Sequence, residues 1–219
     1  MAPSAPRPVV IAIDGTSASG KSTNARRVAR ALNFAYVDTG AMYRTLAWYC
    51  LQQRLDVQDT RAVARALRRW KTELTCVDGQ VRLLVNGHYP QQEIRTTETS
   101  AAVPHVAAIP GVRDWMKRRQ RECLRFGPLV MEGRDIGTNI FPETEFKYYL
   151  DASLDERTRR RSADGIDENL AARDQRDSQR AVAPLMIPLG ARIINNSHLT
   201  ADQTTALLLE DIRPRLAKI

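Results

Sequence analysis

The feature that most restricts the fold of this chain is an octapeptide near its N-terminus, Gly15-Thr16-Ser17-Ala18-Ser19-Gly20-Lys21-Ser22. It follows an apolar run at residues 9–13, which predicts a buried parallel strand, and it precedes a helical pattern over residues 22–32. A strand, a glycine-rich loop and a helix in this order form a P-loop, in which successive backbone N–H groups face one point. Lys21 adds a full positive charge, and Ser22 adds a hydroxyl of the kind that binds Mg²⁺. The octapeptide therefore predicts a site for the β- and γ-phosphates of a nucleotide, in a kinase, a switch or a motor.

Length, composition and cysteine usage predict one globular domain with room for a small insert. The chain has 219 residues, of which 43% are hydrophobic and 26% charged. Cys50, Cys76 and Cys123 are scattered and form no CxxC or Cys/His cluster. This favours reduced thiols in the cytoplasm over a disulfide framework or a zinc site. We expect no transmembrane segment and no signal peptide, and we expect residues 1–8 to be a frayed tail.

The net charge of +8 indicates anionic partners. Arginines crowd residues 113–125 and 157–180, where they are mixed with Asp and Glu, and aromatic residues make up only 6% of the chain. Stacking platforms for bases are therefore scarce, whereas the guanidinium fork suits phosphate oxygens. We favour a site that handles several phosphates over a nucleic-acid surface, and we expect neither nucleic-acid nor membrane partners.

Strand and helix patterns alternate along most of the chain, which predicts a doubly wound parallel sheet flanked by helices. Strand patterns recur at residues 35–38, 129–131, 146–150 and 191–194. Helical patterns fall at residues 41–53, 59–70, 97–108, 112–126, 154–161, 168–176 and 200–212, with a short turn at 163–165. Between about residues 74 and 95 the turn signals Asp78-Gly79 and Asn86-Gly87 predict an inserted antiparallel hairpin or three-stranded sheet.

Two arginines are predicted beside the γ-phosphate, because ligands of such sheets bind at the carboxyl ends of the strands. Arg44 follows the second strand and Arg134 follows the third. Each alone is equally compatible with a surface ion pair, but their shared edge favours a second anionic site next to the first. This arrangement predicts transfer of a phosphoryl group to an acceptor.

The acceptor is predicted to be a phosphate. Transfer to an alcohol usually needs a base, whereas a phosphate oxygen is already an anion. The chain has 33 Lys+Arg, three scattered histidines and no nucleophilic triad, which indicates a nucleotide kinase. The charged segment at residues 173–180 follows a helical hairpin and predicts a mobile lid, with Asp177 reaching a ribose hydroxyl. The alternative for this segment is a solvated helical face.

The chain carries six distinctive stretches, at residues 11–15, 38–44, 93–96, 112–113 with 118–121, 133–138 and 180–185. They resemble stretches of the bacterial cytidylate kinases, which phosphorylate CMP and dCMP with ATP, and the resemblance runs from about residue 9 to 212. The P-loop is common to many kinases. Gly133-Arg134-Asp135-Ile136-Gly137-Thr138, Arg180-Ala181-Val182-Ala183-Pro184-Leu185 and the β insert are more specific to this family.

The resemblance implies one P-loop kinase domain over residues 1–219, with three parts. Its core covers about residues 9–58, 110–153 and 181–213, a nucleoside-monophosphate-binding region with the β insert covers about 59–109, and a short helical lid covers about 154–180. The resemblance also implies a monomer that uses ATP with Mg²⁺.

Individual roles are implied for the matching positions. Lys21, Arg134 and Arg180 are the expected catalytic residues, and Ser22 is the expected Mg²⁺ ligand. The residues expected to bind ATP are Gly15, Thr16, Ser17, Ala18, Ser19, Gly20, Lys21, Ser22 and Thr23. For CMP, the resemblance implies that Thr39, Arg44 and Arg134 hold the phosphate, Arg113 and Asp135 face cytosine, Arg173 and Asp177 reach the sugar, and Arg180 bridges the transferring phosphoryl group.

Four positions depart from the family pattern. Thr16 replaces a proline, residues 161–173 are shorter than in many members, and Asn195-Asn196-Ser197 replaces an Asp-Ser/Thr sequence on the adenine side. Pro104 replaces a serine that often contacts cytosine, which predicts weaker selection of CMP over UMP. The remaining alternatives are a kinase for another small acceptor (UMP, AMP, shikimate or dephospho-coenzyme A) and a P-loop module that binds RNA.

Overall fold

A seven-stranded sheet forms the centre of the computed structural model, which describes residues 8–163, 165 and 169–219. The strands are β1 Val10–Gly15, β2 Ala35–Asp38, β3 Thr72–Val77, β4 Gln80–Val85, β5 Leu129–Glu132, β6 Phe146–Asp151 and β7 Arg192–Asn195. The helices are α1 Lys21–Leu32, α2 Thr39–Gln52, α3 Thr60–Arg69, α4 Thr97–Ala108, α5 Pro110–Glu122, α6 Leu154–Ala163, α7 Leu170–Ser178 and α8 Ala201–Leu216. The strand order is β3-β4-β2-β5-β1-β6-β7, and every neighbouring pair except β3–β4 is parallel.

The central strands are apolar on both faces because helices cover both sides of the sheet. Along β1, Val10 and Ala12 enter one hydrophobic cluster with residues of α2, α4 and α5. Ile11 and Ile13 enter a second cluster with residues of α1 and α8. The predicted parallel sheet flanked by helices is therefore confirmed.

The predicted insert is a two-stranded hairpin. β3 and β4 pair antiparallel from Thr72–Val85 to Val77–Gln80. Asp78 and Gly79 both have positive φ, at 51° and 71°, as a tight hairpin turn requires. The hairpin is joined to the edge of the main sheet, where Tyr36 of β2 lies in register with Gln80 of β4. After Val85 the chain makes a second turn and a 3₁₀ turn at Glu93–Arg95 in place of a further strand of the hairpin.

The helix boundaries agree with prediction to within a few residues, with two informative differences. α5 ends at Glu122 and a 3₁₀ turn, Cys123–Phe126, completes the predicted span. α8 continues to Leu216 although Pro214 lies inside it, because packing of its apolar face outweighs one missing N–H donor. The predicted tail at residues 1–7, the turn residue Asp164 and the predicted start of α7 at Glu168 lie outside the described residues. In the part of the chain that the structure describes, no helix is both long and apolar enough to cross a membrane.

Candidate active site

One cavity of about 1130 Å³ lies at the carboxyl ends of β1, β2 and β5, next to helices α6 and α7. These two helices form the segment predicted to be a lid, and they are called the lid below. Most of the predicted site residues line it. These are Ser17, Ala18, Gly20, Lys21, Ser22, Thr23, Thr39, Arg44, Arg113, Arg134, Asp135, Arg173, Asp177 and Arg180. The other predicted residues, Gly15, Thr16 and Ser19, belong to the same loop but are not among the lining residues. The fold thus brings segments from three strand ends and the lid into one place.

The P-loop depends on its glycines and on its own oxygen atoms. Gly15 has φ 148°, and a Cβ there would lie 2.0 Å from the carbonyl oxygen of Leu150, so only glycine fits. The Ser19 hydroxyl donates to the Thr16 carbonyl at 3.0 Å. The Lys21 ammonium donates to the same carbonyl and lies 3.4 Å from the Ser19 hydroxyl. The loop therefore holds its lysine at the start of α1 through local contacts.

Lys21 is 5% exposed, and both arginines and carboxylates lie near it. Burial is the main cause that lowers the pKa of Lys21, to about 7, and the charge of Arg134 lowers it further. Glu132 and Asp14 act in the opposite direction. An anionic ligand next to Lys21 would therefore favour the charged form of its ammonium group and raise its pKa again.

Glu132, at the end of β5, has no role in the sequence prediction. Its buried carboxylate accepts a hydrogen bond from the Ser22 hydroxyl at 2.5 Å and from the Tyr36 hydroxyl at 3.3 Å. Burial, and then the nearby Asp38, raise the pKa of Glu132. A hydroxyl and a carboxylate side by side at a P-loop are the donor set that Mg²⁺ takes from protein when phosphates and water supply the rest. The residues present therefore fit Mg²⁺.

The end of β2 places Arg44 and Thr39 at the cavity. Asp38 caps α2 by accepting the Ala41 N–H at 2.8 Å, and its other oxygen pairs with Arg44 at 3.0 Å. Thr39 donates to the Glu132 carbonyl at 2.8 Å, which joins the ends of β2 and β5. A Cβ at Gly133 would lie 2.6 Å from the Thr39 hydroxyl, so this contact requires glycine.

A buried ion pair follows β5. Arg113 of α5 donates to Asp135 at 2.7 Å, and their side chains are only 2% and 8% exposed. Asn139 also donates to Asp135, at 2.9 Å, and the Arg113 guanidinium lies 5.6 Å from the centre of the Tyr43 ring. The Arg113 Nε has no hydrogen-bond partner among the described residues. This pair therefore presents fixed donors and acceptors to a ligand in the cavity.

The lid contacts the β5 end through Asp177. Its carboxylate accepts from Arg134 at 2.9 Å and also from Arg180. Burial opposes the charge on Asp177, but Arg134 and Arg180 outweigh it and hold the pKa of Asp177 below its usual value. Two of the three predicted catalytic residues thus share one lid carboxylate, and Arg173 lines the cavity beside them.

The lid also contacts the P-loop, through residues that had no assigned role. Asp174 accepts the Ser17 N–H at 3.2 Å and pairs with Arg157 at 2.5 Å, and Arg157 donates to the Ser17 carbonyl at 3.2 Å. Asn196, one of the four departures, donates to the Ser19 carbonyl at 2.9 Å and accepts from Arg160 at 3.1 Å. The segment Asn195–Ser197, which differs from the family pattern on the adenine side, therefore contacts the P-loop directly through Asn196.

The family model of the cytidylate kinases matches residues 11–214 of this chain. A cytidylate kinase from Anoxybacillus flavithermus is 38% identical over 219 residues, which cover 95% of this chain and 97% of that protein. A bifunctional pantoate ligase/cytidylate kinase from Acaryochloris marina is 42% identical over 209 residues, which cover 89% of this chain but only 40% of that protein. Among solved structures, a thymidylate kinase from Candida albicans has 14% identity and a TM-score of 0.47, with coverage of 95% of this chain and 92% of that chain.

Proposed function

This chain belongs to the cytidylate kinase family, and from that premise we propose that it transfers the γ-phosphoryl group of ATP to CMP or dCMP. The products are ADP with CDP or dCDP. The observation that carries this proposal is the single cavity in which the P-loop faces Arg44, Arg113 and Arg134. This arrangement supports a site for a triphosphate beside an arginine-rich site for a second phosphate.

In the proposed complex the donor half of the site is the P-loop. Its backbone N–H groups, from Gly15 through Thr23, cradle the β- and γ-phosphates, and Lys21 neutralises their charge. Ser22 would hold Mg²⁺, with Glu132 accepting from its hydroxyl or from a bound water. When it is bound, Mg²⁺ would neutralise part of the negative charge of the nucleotide phosphates.

The acceptor half is built from arginines that are held by carboxylates. Thr39, Arg44 and Arg134 bind the CMP phosphate, and the Arg113–Asp135 pair faces the cytosine ring. Arg173 and Asp177 bind the sugar from the lid. The paired arginines support this assignment because each guanidinium is already oriented before a phosphate arrives, which lowers the entropic cost of binding.

Transfer in this site needs no general base and no covalent intermediate. The attacking group is a phosphate oxygen of CMP, which is already an anion. The transition state spreads negative charge over the equatorial oxygens of the transferring group, and Lys21, Arg134 and Arg180 are placed to neutralise that charge. The lid helices exclude water, which limits hydrolysis of ATP.

We keep the three-part division proposed from the sequence, with the core near residues 9–58, 110–153 and 181–213. In this division residues 59–109 form the acceptor-binding region, and α6 and α7 form the lid near residues 154–180. We also keep a monomer and a cytoplasmic location as parts of the proposal. Cys50, Cys76 and Cys123 are free thiols, which supports a reducing compartment.

A panel of acceptors tests this function. The purified chain is incubated with ATP and Mg²⁺ and with CMP, dCMP, UMP, AMP, shikimate or dephospho-coenzyme A, and ADP release is measured. We expect the highest kcat/KM with CMP or dCMP. A higher kcat/KM with shikimate, AMP or dephospho-coenzyme A contradicts the proposal, and ATP turnover that requires RNA would support the RNA-binding alternative.

A further inference from the structure

Asp14 is a fully buried carboxylate between the two halves of the site, and the proposed mechanism does not use it. It is the residue of β1 just before Gly15, so it is joined covalently to the P-loop. Its two oxygens accept backbone N–H groups from the far side of the cavity, from Ile136 at 2.8 Å and from Gly137 at 2.7 Å. These partners lie more than 120 residues away along the chain, at separations of 122 and 123.

Ile136 and Gly137 begin a π-helical turn, Ile136–Ile140, that directly follows Arg134 and Asp135. The first N–H groups of a helical turn have no partner within the turn, so an outside acceptor is needed to satisfy them. Asp14 supplies that acceptor with one oxygen for each N–H. The same turn is closed on the other side by Asp135, whose carbonyl accepts from Asn139 at 2.9 Å.

The Asp14 carboxylate thus links the strand that leads into the donor loop to the turn that follows the acceptor loop, alongside the contact between Ser22 and Glu132. One end of the link is one residue from Gly15, and the other end is one residue from Asp135. The backbone adds a single further contact at this level, from the Gly133 N–H to the Ile13 carbonyl at 3.1 Å. A shift of the turn relative to β1 therefore moves Arg134 and Asp135 relative to the P-loop.

We propose that Asp14 is a positioning residue, whose ionised carboxylate fixes the Arg134–Asp135 loop at the distance from the P-loop that transfer to CMP requires. This inference rests on the proposed function, because it assigns the loop to acceptor binding. It adds a residue that touches neither nucleotide.

The ionisation of Asp14 is costly, which gives the proposal a distinct signature. Burial raises the pKa of Asp14 to about 7, with the nearby Asp135 acting in the same direction and the two N–H groups and Lys21 acting against it. A protonated carboxyl has only one oxygen free to accept fully, so it holds one of the two N–H groups poorly. Ionisation of Asp14 therefore has opposite effects on the site and on the fold. It secures both N–H groups of the turn, but because its pKa is raised, it lowers the free energy of unfolding as the pH rises through about 7.

Asp14→Asn is the test, because asparagine keeps the shape and one acceptor but turns an NH₂ group towards one of the two N–H groups. We expect KM for CMP to rise and kcat/KM for CMP to fall by about 10- to 100-fold, the cost typical of a small misplacement. Affinity for ATP measured without CMP should stay within about two-fold, because the P-loop contacts are unchanged. Tyr148→Phe is the matched control. Tyr148 is buried, and its hydroxyl donates to Asp211 at a distance of 2.5 Å. Neither residue lines the cavity, so loss of this hydroxyl should leave KM for CMP and the affinity for ATP unchanged.

The pH profile separates positioning from a purely structural role. In the wild-type protein the acid limb of kcat/KM for CMP should fall as the pH drops through about 7, with one component from Asp14 and another from the CMP phosphate near pH 6. Lys21, whose pKa is lowered to about 7, acts on the opposite limb, because it loses its charge as the pH rises. In Asp14→Asn the component from the CMP phosphate should remain, and the component from the Asp14 carboxylate should disappear. An unchanged profile together with an unchanged KM for CMP would overturn the proposal, while activity of the wild-type enzyme on CMP would leave the proposed function standing.

If Asp14→Asn does not fold, the wild-type protein still decides the matter. The amide resonances of Ile136 and Gly137 are followed by NMR between about pH 5.5 and 8.5, a window centred on the raised pKa. A common midpoint that matches the acid limb of kcat/KM for CMP supports the link. Resonances that do not move while activity does would overturn it.

Discussion

The donor loop and the acceptor pocket hold their positive charges in different ways. Lys21 donates its hydrogen bonds within its own loop, to the Thr16 carbonyl and towards the Ser19 hydroxyl. In the acceptor pocket three arginines, Arg44, Arg113 and Arg134, are paired with carboxylates that lie 6, 22 and 43 positions away in the chain. The lysine of the donor loop is therefore held by local contacts, whereas two of these three acceptor arginines are held by residues that only folding brings close.

This difference has chemical consequences. The Lys21 charge is compensated mainly when a nucleotide binds, so the donor loop acts on the charge of the reacting phosphates. The acceptor arginines are partly neutralised by their carboxylates, so they contribute geometry and selectivity more than bulk attraction. Changes in the donor loop should act on the rate, and changes in the acceptor pocket should act on the binding of CMP.

The largest effect is expected from Lys21→Ala. Loss of the only ammonium that the loop holds should lower kcat by about 10³-fold or more, because this charge acts on the transition state. The fold should remain intact, as checked by circular dichroism and thermal unfolding, since a buried charge is removed. Lys147→Ala, on the half-buried side of β6, is the control. Normal turnover in Lys21→Ala would contradict the claim that the donor loop acts on the charge of the reacting phosphates.

Arg180→Ala sharpens the comparison, because Arg180 sits on the acceptor side but is proposed to act on the transferring group. We expect kcat to fall by about 10²- to 10³-fold, with a smaller rise in KM for CMP. Arg192→Ala is the matched control, because Arg192 pairs with Asp211 at 3.0 Å outside the cavity. A rise in KM larger than the fall in kcat would make Arg180 a binding residue like Arg44.

Arg44→Met tests the acceptor half directly. Its loss should raise KM for CMP by about 10- to 100-fold, the value of one charge-assisted contact with a phosphate. KM for ATP should change little, since the Arg44 guanidinium is held by Asp38 on the acceptor side. Arg30→Met, at the exposed end of α1, controls for loss of one surface charge. Equal changes in the two Michaelis constants would show that the halves are not separate.

The smallest effect is expected at Pro104, which lies inside α4 and lines the cavity. Pro104→Ser adds the hydroxyl that the family resemblance implies at this position as a contact with cytosine. It should raise the ratio of kcat/KM for CMP to that for UMP by roughly 3- to 10-fold, the value of one neutral hydrogen bond. Pro104→Ala removes the ring without adding a hydroxyl, so it should leave the ratio near that of the wild type. An equal rise in both variants would assign the effect to the helix backbone.

The contrast between the two halves also explains what the sequence predicts well. The P-loop and the strands of the sheet follow from residues that are close together in the chain, and the structure confirms the sheet. The acceptor residues could be named only from strand ends and from the family resemblance. Their partners, such as Asp177 for Arg134, depend on how closely α7 approaches the loop after β5, which no local pattern encodes.

Two carboxylates were missed for the same reason. Glu132 and Asp14 act through contacts with Ser22 and with Ile136 and Gly137, which are more than 100 residues away. A signal was nevertheless present, because both lie at the carboxyl end of a central strand, where ligands bind. The same rule marks Asp14 at the end of β1 and Glu132 at the end of β5. The contacts of Asn196 and Asp174 with the P-loop had no comparable signal.

The measurement that tests the central claim most directly follows the γ-phosphate itself. The purified chain is mixed with Mg²⁺, CMP and ATP labelled in the γ-position, and the label is traced in nucleotides, inorganic phosphate and protein. Direct transfer between the two halves of the cavity predicts that the label appears in the β-phosphate of CDP, with none on the protein. Label that accumulates as inorganic phosphate, or that is bound to the protein before CDP forms, would contradict it.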